Sequence, residues 1–317
     1  MSEPRAHHYI PQFYLNGFST ITRKQKTLWV YTIRGAPRKS TPANEAHERD
    51  FYAYDRNDKT RYDFERALSN IEGAVAPYLL RICADPKLVP TAGEKLGFAI
   101  FVALMFFRVH PGRKFLDKIA ADATRTVSQQ RAADPDTFFE DYQAVDRAEG
   151  WEDRAEKLRQ DILANAFEYR QTSTDSNLRS VLDATQRLAP ILAAMDWALL
   201  HAKGRHEFIT SDNPVITIQP EGPGFSVLGS GFDMPGTEVY FPLSAKVCLM
   251  MSKESQRKAV GAPRLMDINV ALMSASTRHI YTRTFSQETD SLFLEHGCKL
   301  EYGVNAFAPA PRQTENR

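Results

Sequence analysis

The sequence predicts an α+β fold: a largely helical central block packed on a mixed or antiparallel β-sheet built from N- and C-terminal strands. Three observations carry this expectation. Apolar side chains recur every three or four positions through residues 61–200, the period of helices with one buried face. The flanking regions, 1–60 and about 197–283, hold short runs of β-branched and aromatic residues bounded by turn formers. The 317 residues are 43% hydrophobic and 25% charged, the mix of a globular chain long enough to bury a sizeable core. We expect one α+β domain over 1–307, with the helical block inserted between strand regions, and a flexible, proline-rich tail at 308–317.

The elements follow in chain order. LWVYTIR (Leu28 to Arg34) reads as a strand, and FYAYD (Phe51 to Asp55) as another; GAPRKSTPANE between them, with two prolines, reads as loop. Phe64, Leu68, Ile71, Val75, Leu79 and Ile82 form one helical stripe, in which Pro77 should kink or split the helix. Pro90-Thr91 opens a second helix with a buried part at Leu96 to Val109, and Pro111 should kink or end it. Asp134-Pro135 opens a third. Leu158, Ile162, Ala166 and Tyr169 mark a fourth. Leu178, Leu182, Thr185, Leu188 and Leu192 mark a fifth, with Ser176 or Asn177 as its cap. Strands return at WALLHA, HEFIT (His206 to Thr210), PVITI (Pro214 to Ile218) and the hairpin EVYFPLS–KVCLMMS (Glu238 to Ser252). Arg264 to Arg283 reads as a last helix that buries Leu265, Ile268, Leu272 and Ile280. The glycines from Gly222 to Gly236 suggest a long lid or binding loop.

Several classes are excluded. Forty basic against 39 acidic residues rule out a globally polybasic protein. Cys83, Cys248 and Cys298 are odd in number and far apart, which speaks against a disulfide scaffold or a cysteine-rich zinc site and fits a reducing, cytoplasmic setting. No secretory leader is visible. The most apolar run is about 12 residues long before Arg108, short of the roughly 20 that a spanning helix needs, so no membrane partner is expected. HExxH, GxSxG, P-loop and spaced GxGxxG patterns are absent.

The residues able to carry chemistry fall into four stretches. His7-His8-Tyr9-Ile10-Pro11-Gln12-Phe13-Tyr14-Leu15 places two histidines, a glutamine and two tyrosines close together. Either histidine suits general acid–base work or metal ligation, but adjacent residues of an extended segment face opposite ways. Thr210-Ser211-Asp212-Asn213-Pro214 is a turn whose Asp212 either caps backbone amides or, projecting into a cleft, binds a metal or orients a histidine. Arg108-Val109-His110-Pro111-Gly112-Arg113 ends the most buried helix, where Arg108 suits an anion or an acidic partner. Glu45 to Tyr52 reads as a solvated charged turn.

At these stretches the sequence resembles the DUF4238 family of uncharacterised function. His7 to Leu15 matches its HHYxPQFYL-like opening, and Ile209 to Val215 its ITSDNPV segment. Glu48 to Tyr52 is similar to its acidic-then-FY step, Ile71-Glu72 to its IE step, and Phe106-Phe107-Arg108 to an apolar helix ending in Arg, although RVHP stands here where the family tends to RTP. Pro242-Leu243-Ser244 and Asn269 complete the likeness, which spans about 5–285. The resemblance implies one domain and one pocket shared by the two specific signatures; it implies no activity.

The resulting expectation is a hydrolase acting on phosphodiesters or nucleotides, with a nucleotide or nucleic acid as partner. His7 or His8 would be the base or a ligand of a divalent metal, and Asp212 would orient that histidine or bind the metal. Gln12, Tyr14 and Asn213 would hold substrate, and Arg108 would stabilise phosphate charge. The alternative is a non-catalytic ligand- or nucleic-acid-binding module built from the same residues.

Overall fold

The computed structural model describes residues 5–56, 59–85, 88–167, 169, 174–219, 232, 236–253, 265–299 and 308–309. The N-terminal part is made of β1 (Ala6–His8), a single turn α1 (Gln12–Leu15), β2 (Thr20–Thr22), β3 (Gln25–Thr32), β4 (Gly35–Ser40), β5 (His47–Arg49), β6 (Tyr54–Arg56) and β7 (Lys59–Arg61). The helical block follows: α2 (Asp63–Ala84), α3 (Ala92–Phe107), α4 (His110–Ala133), α5 (Pro135–Val145), α6 (Trp151–Leu163) and α7 (Thr174–Ala194). The C-terminal part holds β8 (Asp196–His201), β9 (Thr210–Ser211), β10 (Ile216–Gln219), β11 (Glu238–Ser244), β12 (Val247–Ser252), α8 (Leu265–Ala275), β13 (His279–Thr282), α9 (Gln287–His296) and β14 (Ala308–Pro309). The fold is α+β.

Two main sheets replace the single one expected. In one, β3 pairs with β2, β4 and β13, and β13 pairs with β9, so N- and C-terminal strands do meet. The other, in the order β14-β10-β11-β12-β8, comes entirely from residues after 195. Its strands alternate between two cores, as a period of two requires. Val239, Phe241, Leu243, Leu249 and Met251 face the helical block, whereas Tyr240, Cys248 and Ile216 join a second core with Ile268 and Leu272 of α8. The helical side is centred on α3, which is apolar all round and buried from Phe98 to Phe107 apart from Ile100.

Several boundaries differ from the sequence reading. GAPRKS is not loop but the strand β4, whose Pro37 falls at a register shift opposite β3, a place where the missing N–H is tolerated. Phe51-Tyr52 is a turn between β5 and β6 rather than a strand. Pro77 lies inside an unbroken α2. Thr91 caps α3 through a reciprocal bond with Glu94, and α4, not foreseen, begins at His110-Pro111 with proline in the helix's first turn, where its missing N–H costs nothing. Ala166 and Tyr169 lie beyond α6, and Asn177 lies inside α7. HEFIT contributes only its last residue to β9. The helix expected over 264–283 is α8 followed by β13: the break falls where Ser276 donates back to Met273, and Ile280 belongs to the strand. Ala308–Pro309, the start of the expected tail, pairs parallel with β10. The loop expected from Gly222 to Gly236 and the tail after 309 lie almost wholly outside the described residues. All three cysteines are free thiols.

Candidate functional site

The site is built where α3 ends. Arg108 is the C-cap residue of α3, and α4 starts two residues later. The two helix ends approach so closely that a Cβ on Gly112 would lie 2.0 Å from the Phe106 carbonyl oxygen. That approach drives the Arg108 side chain inward, where only 1% of the residue remains exposed. A buried guanidinium must have every charge and donor answered. Its Nε donates to the Tyr52 hydroxyl at 3.0 Å, one Nη to a Glu72 carboxylate oxygen at 2.6 Å, and the other Nη to the His8 backbone carbonyl at 2.6 Å. Burial lowers its pKa, but Tyr52 and Glu72 outweigh that and hold the charge in place.

Tyr52 carries the network onward. Its backbone N–H donates to Nδ1 of His7 at 2.9 Å, and the two rings stack with centroids 5.8 Å apart. An Nδ1 that accepts from a backbone amide leaves Nε2 as the protonated nitrogen of the neutral ring. The edge of Tyr62, just before α2, closes the other side of that imidazole. Alternation along β1 therefore resolves the adjacent histidines: His7 is buried, and His8 is half-buried beside His47, with Nε2 3.3 Å from the Ala43 carbonyl. Burial, foremost, lowers the His8 pKa.

Two carboxylates of α2 lie in the same field. Glu72 holds Arg108. Glu65, two turns earlier, has a buried Oε2 without a hydrogen-bond partner. Burial, with a smaller push from Glu72, raises its pKa to about 7 against the pull of Arg108. In the sequence Glu72 and Tyr52 stand only within weak family steps, and Glu65 has one signal, the i, i+7 spacing from Glu72 on the apolar side of α2.

The other expected residues lie elsewhere. Asp212 follows β9, and its carboxylate accepts from the Thr277 amide at 2.8 Å, the Thr277 hydroxyl at 2.7 Å, and the amides of Arg278 and His279 at 2.7 and 3.2 Å. These four bonds fix the connection from α8 to β13. Asn213 donates to the Ala275 carbonyl at 3.2 Å. Tyr14 is buried: its hydroxyl meets Thr210 at 2.7 Å and donates to the Pro242 carbonyl at 2.8 Å, and its ring stacks on Phe241. Gln12 is exposed on α1. His7 and Arg108 thus come together, whereas Asp212, Asn213 and Tyr14 tie the C-terminal strands to one another and to α1. Between the two groups, Glu48 accepts from His110 and from Arg278, each at 3.1 Å. Burial, foremost, lowers the His110 pKa. Among the described residues no group of three or more His, Cys, Asp or Glu is placed to hold a metal ion, and no helix is long and apolar enough to cross a membrane.

An α+β chain in which the N-terminal histidine segment, Tyr52 and Glu72 meet at a buried arginine defines the class. The chain belongs to the DUF4238 family, described as protein of unknown function, whose match covers residues 6–286. Comparison with curated proteins and with solved structures gives no match.

Proposed function

We propose that the chain is a hydrolase acting on phosphodiesters or nucleotides, with Glu65 as its proton-transfer group. The observation that supports this reading is the Glu65 carboxyl, with its Oε2 unpartnered and its pKa pushed up to about 7, in the field of Arg108 and near Tyr52. A carboxyl that gains and loses its proton near neutral pH suits general acid–base catalysis, and such perturbed groups gather at active sites. Ionised Glu65 would take a proton from the attacking water as its oxygen bonds to phosphorus. The leaving oxygen would take its proton from solvent as the old P–O bond breaks, and neutral His7, held through Nδ1 by the Tyr52 amide, would position the site. Arg108 offers positive charge for the phosphoryl oxygens from the N–H groups that Tyr52, Glu72 and His8 do not use. Asp212, Asn213, Tyr14 and His8 act here as positioning residues, and Gln12 as a surface residue.

The test is hydrolysis of bis(p-nitrophenyl) phosphate, mononucleotides and short oligonucleotides by wild type, Glu65→Gln and His7→Gln, with and without divalent metal ions. Loss of turnover in Glu65→Gln, with unchanged circular dichroism, supports the assignment. Equal turnover in wild type and Glu65→Gln, or none in wild type, overturns it. A second reading, a non-catalytic binding module, is favoured by the number of internal bonds that already engage Arg108 and Asp212. It predicts ligand-induced stabilisation without product.

A further inference from the structure

The hairpins formed by β2, β3 and β4 carry an unusual charge pattern. Residues 20–40 include Arg23, Lys24, Lys26, Arg34, Arg38 and Lys39 and no aspartate or glutamate, in a chain whose overall formal charge is only +1. All six are exposed. Arg38 is held bidentately by Glu45. Among the described residues, Arg23, Lys24, Lys26, Arg34 and Lys39 have no carboxylate partner. Arginines elsewhere commonly do, as in Arg5–Asp50, Arg125–Asp122, Arg131–Asp141 and Arg154–Asp146.

Two further observations point to what this surface meets. The β2–β3 turn is Arg23-Lys24, with φ of 49° and 68°. Two central residues at positive φ make the primed turn that asparagine and glycine favour. Here the chain places two long cations in a conformation that side chains resist. Second, the basic strands border an aromatic row. Phe285 is 48% exposed; it packs on Trp29 at 5.0 Å and stacks on Tyr31 at 6.3 Å. Lys39 is the cross-strand partner of Trp29, so the two share one face of the sheet. β4 pairs only with β3 among the described strands. Lysine and proline on β4 also discourage edge-to-edge pairing, but edge protection accounts neither for the strained cations at the tip nor for the exposed phenylalanine.

We propose that this basic, aromatic-edged face binds single-stranded nucleic acid. Lys39 shares the Trp29 face, and Arg23-Lys24 and Arg34 stand at the two turns about 25 Å apart, whereas Lys26, out of phase with Trp29, points to the opposite face; the first four would follow the phosphate backbone. Phe285 and Trp29 would stack bases, the combination by which single strands are held without sequence readout. The inference names the substrate class for the Glu65 reading and in that respect rests on it; the binding itself stands on separate residues.

The experiment is fluorescence anisotropy with labelled dT20, using wild type, Glu65→Gln, the double variant Arg23→Asn/Lys24→Gly, and Phe285→Ala, beside sedimentation with phosphatidylserine vesicles. The double variant gives the turn its preferred residues, so it should melt no earlier than wild type while two cations are lost. We expect dT20 to bind wild type and Glu65→Gln alike, with log Kd rising with log salt at a slope of about 2 to 3.5. The double variant should weaken binding at least about tenfold and lower the slope by about 1.4, and Phe285→Ala should weaken it about threefold or more. No binding to dT20, binding unchanged in the double variant, or binding to vesicles alone overturns the proposal. Binding that survives in Glu65→Gln while wild type cleaves nothing upholds the surface and removes only the hydrolase reading.

Discussion

Replacing Glu65 by glutamine should stabilise the protein at alkaline pH and change little near pH 4. Burial raises this carboxyl from 4.5 to about 7. Each pKa unit is worth about 1.4 kcal/mol, so the full shift corresponds to about 3 kcal/mol of penalty on the ionised form. The side chain is partly open to water, and screening reduces the figure to about 1–2 kcal/mol. The sign follows from proton binding. Between pH 4.5 and about 7 the folded state holds a proton that the unfolded state has released, so this group's contribution to stability falls as pH rises. Below 4.5 both states are protonated and the penalty vanishes; above 7 it is complete. Glutamine keeps the shape and removes the charge. Urea unfolding of wild type and Glu65→Gln at pH 4, 6 and 8 should give a stability difference that grows from near zero to about 1–2 kcal/mol. A difference independent of pH, or a variant less stable at pH 8, would refute the reasoning.

Arg108→Ala should cost about 3–5 kcal/mol in chemical denaturation, because it leaves the Tyr52 hydroxyl, the His8 carbonyl and the Glu72 charge without their partner. Arg108→Lys should recover only part of this, since an ammonium cannot reach three directions from one plane. Asp212→Ala should remove about 2–4 kcal/mol and, in hydrogen exchange, expose the amides of Thr277, Arg278 and His279 selectively. Tyr14→Phe should cost about 1–2 kcal/mol through the Pro242 carbonyl that it strands. Gln12→Ala should stay within about 0.5 kcal/mol by thermal melting.

What the sequence made legible was periodic. The stripe of α2, the apolar α3 and the β11–β12 hairpin are each written in spacing and turn residues, and they stand where expected. What stayed hidden was tertiary. GAPRKS forms a strand because β3 offers it a ladder, against its own weak propensity. The 264–283 stretch keeps a helical apolar rhythm across a helix end that only the packing of Ser276 and the Asp212 contacts impose. α4 was missed because only Leu116, Pro111, Gly112 and Ala132 are buried over its 24 residues, too few to print a stripe. At the site, His7 and Arg108 were legible as types, but their meeting depends on Gly112 letting two helix ends touch. Glu65 carries only its seven-residue spacing from Glu72, since its pKa is set first by burial and then by Arg108, which is distant in sequence.

The two signatures have different physical roles. The hydrogen bonds described for Asp212 all go to residues 277–279, and Asn213 reaches Ala275. The SDNP segment is therefore a clamp: it sets the path of the chain from α8 into β13 and so the place of Arg278. The HHY segment is a bridge. The His8 carbonyl receives Arg108, His7 receives Tyr52, and the ring of Tyr9 meets His110 edge-on at 5.2 Å. Arg278 and His110 then share Glu48. One polar frame thus runs from the end of α3 to the start of β13, and both signatures are parts of it. If this is right, His110→Ala should loosen the frame at its middle: exchange protection should fall at Arg278 and at Glu48 together, while the Arg108–Tyr52 end keeps its protection. Loss of protection throughout would mean the two ends are a single unit, and loss at neither would mean Glu48 holds nothing.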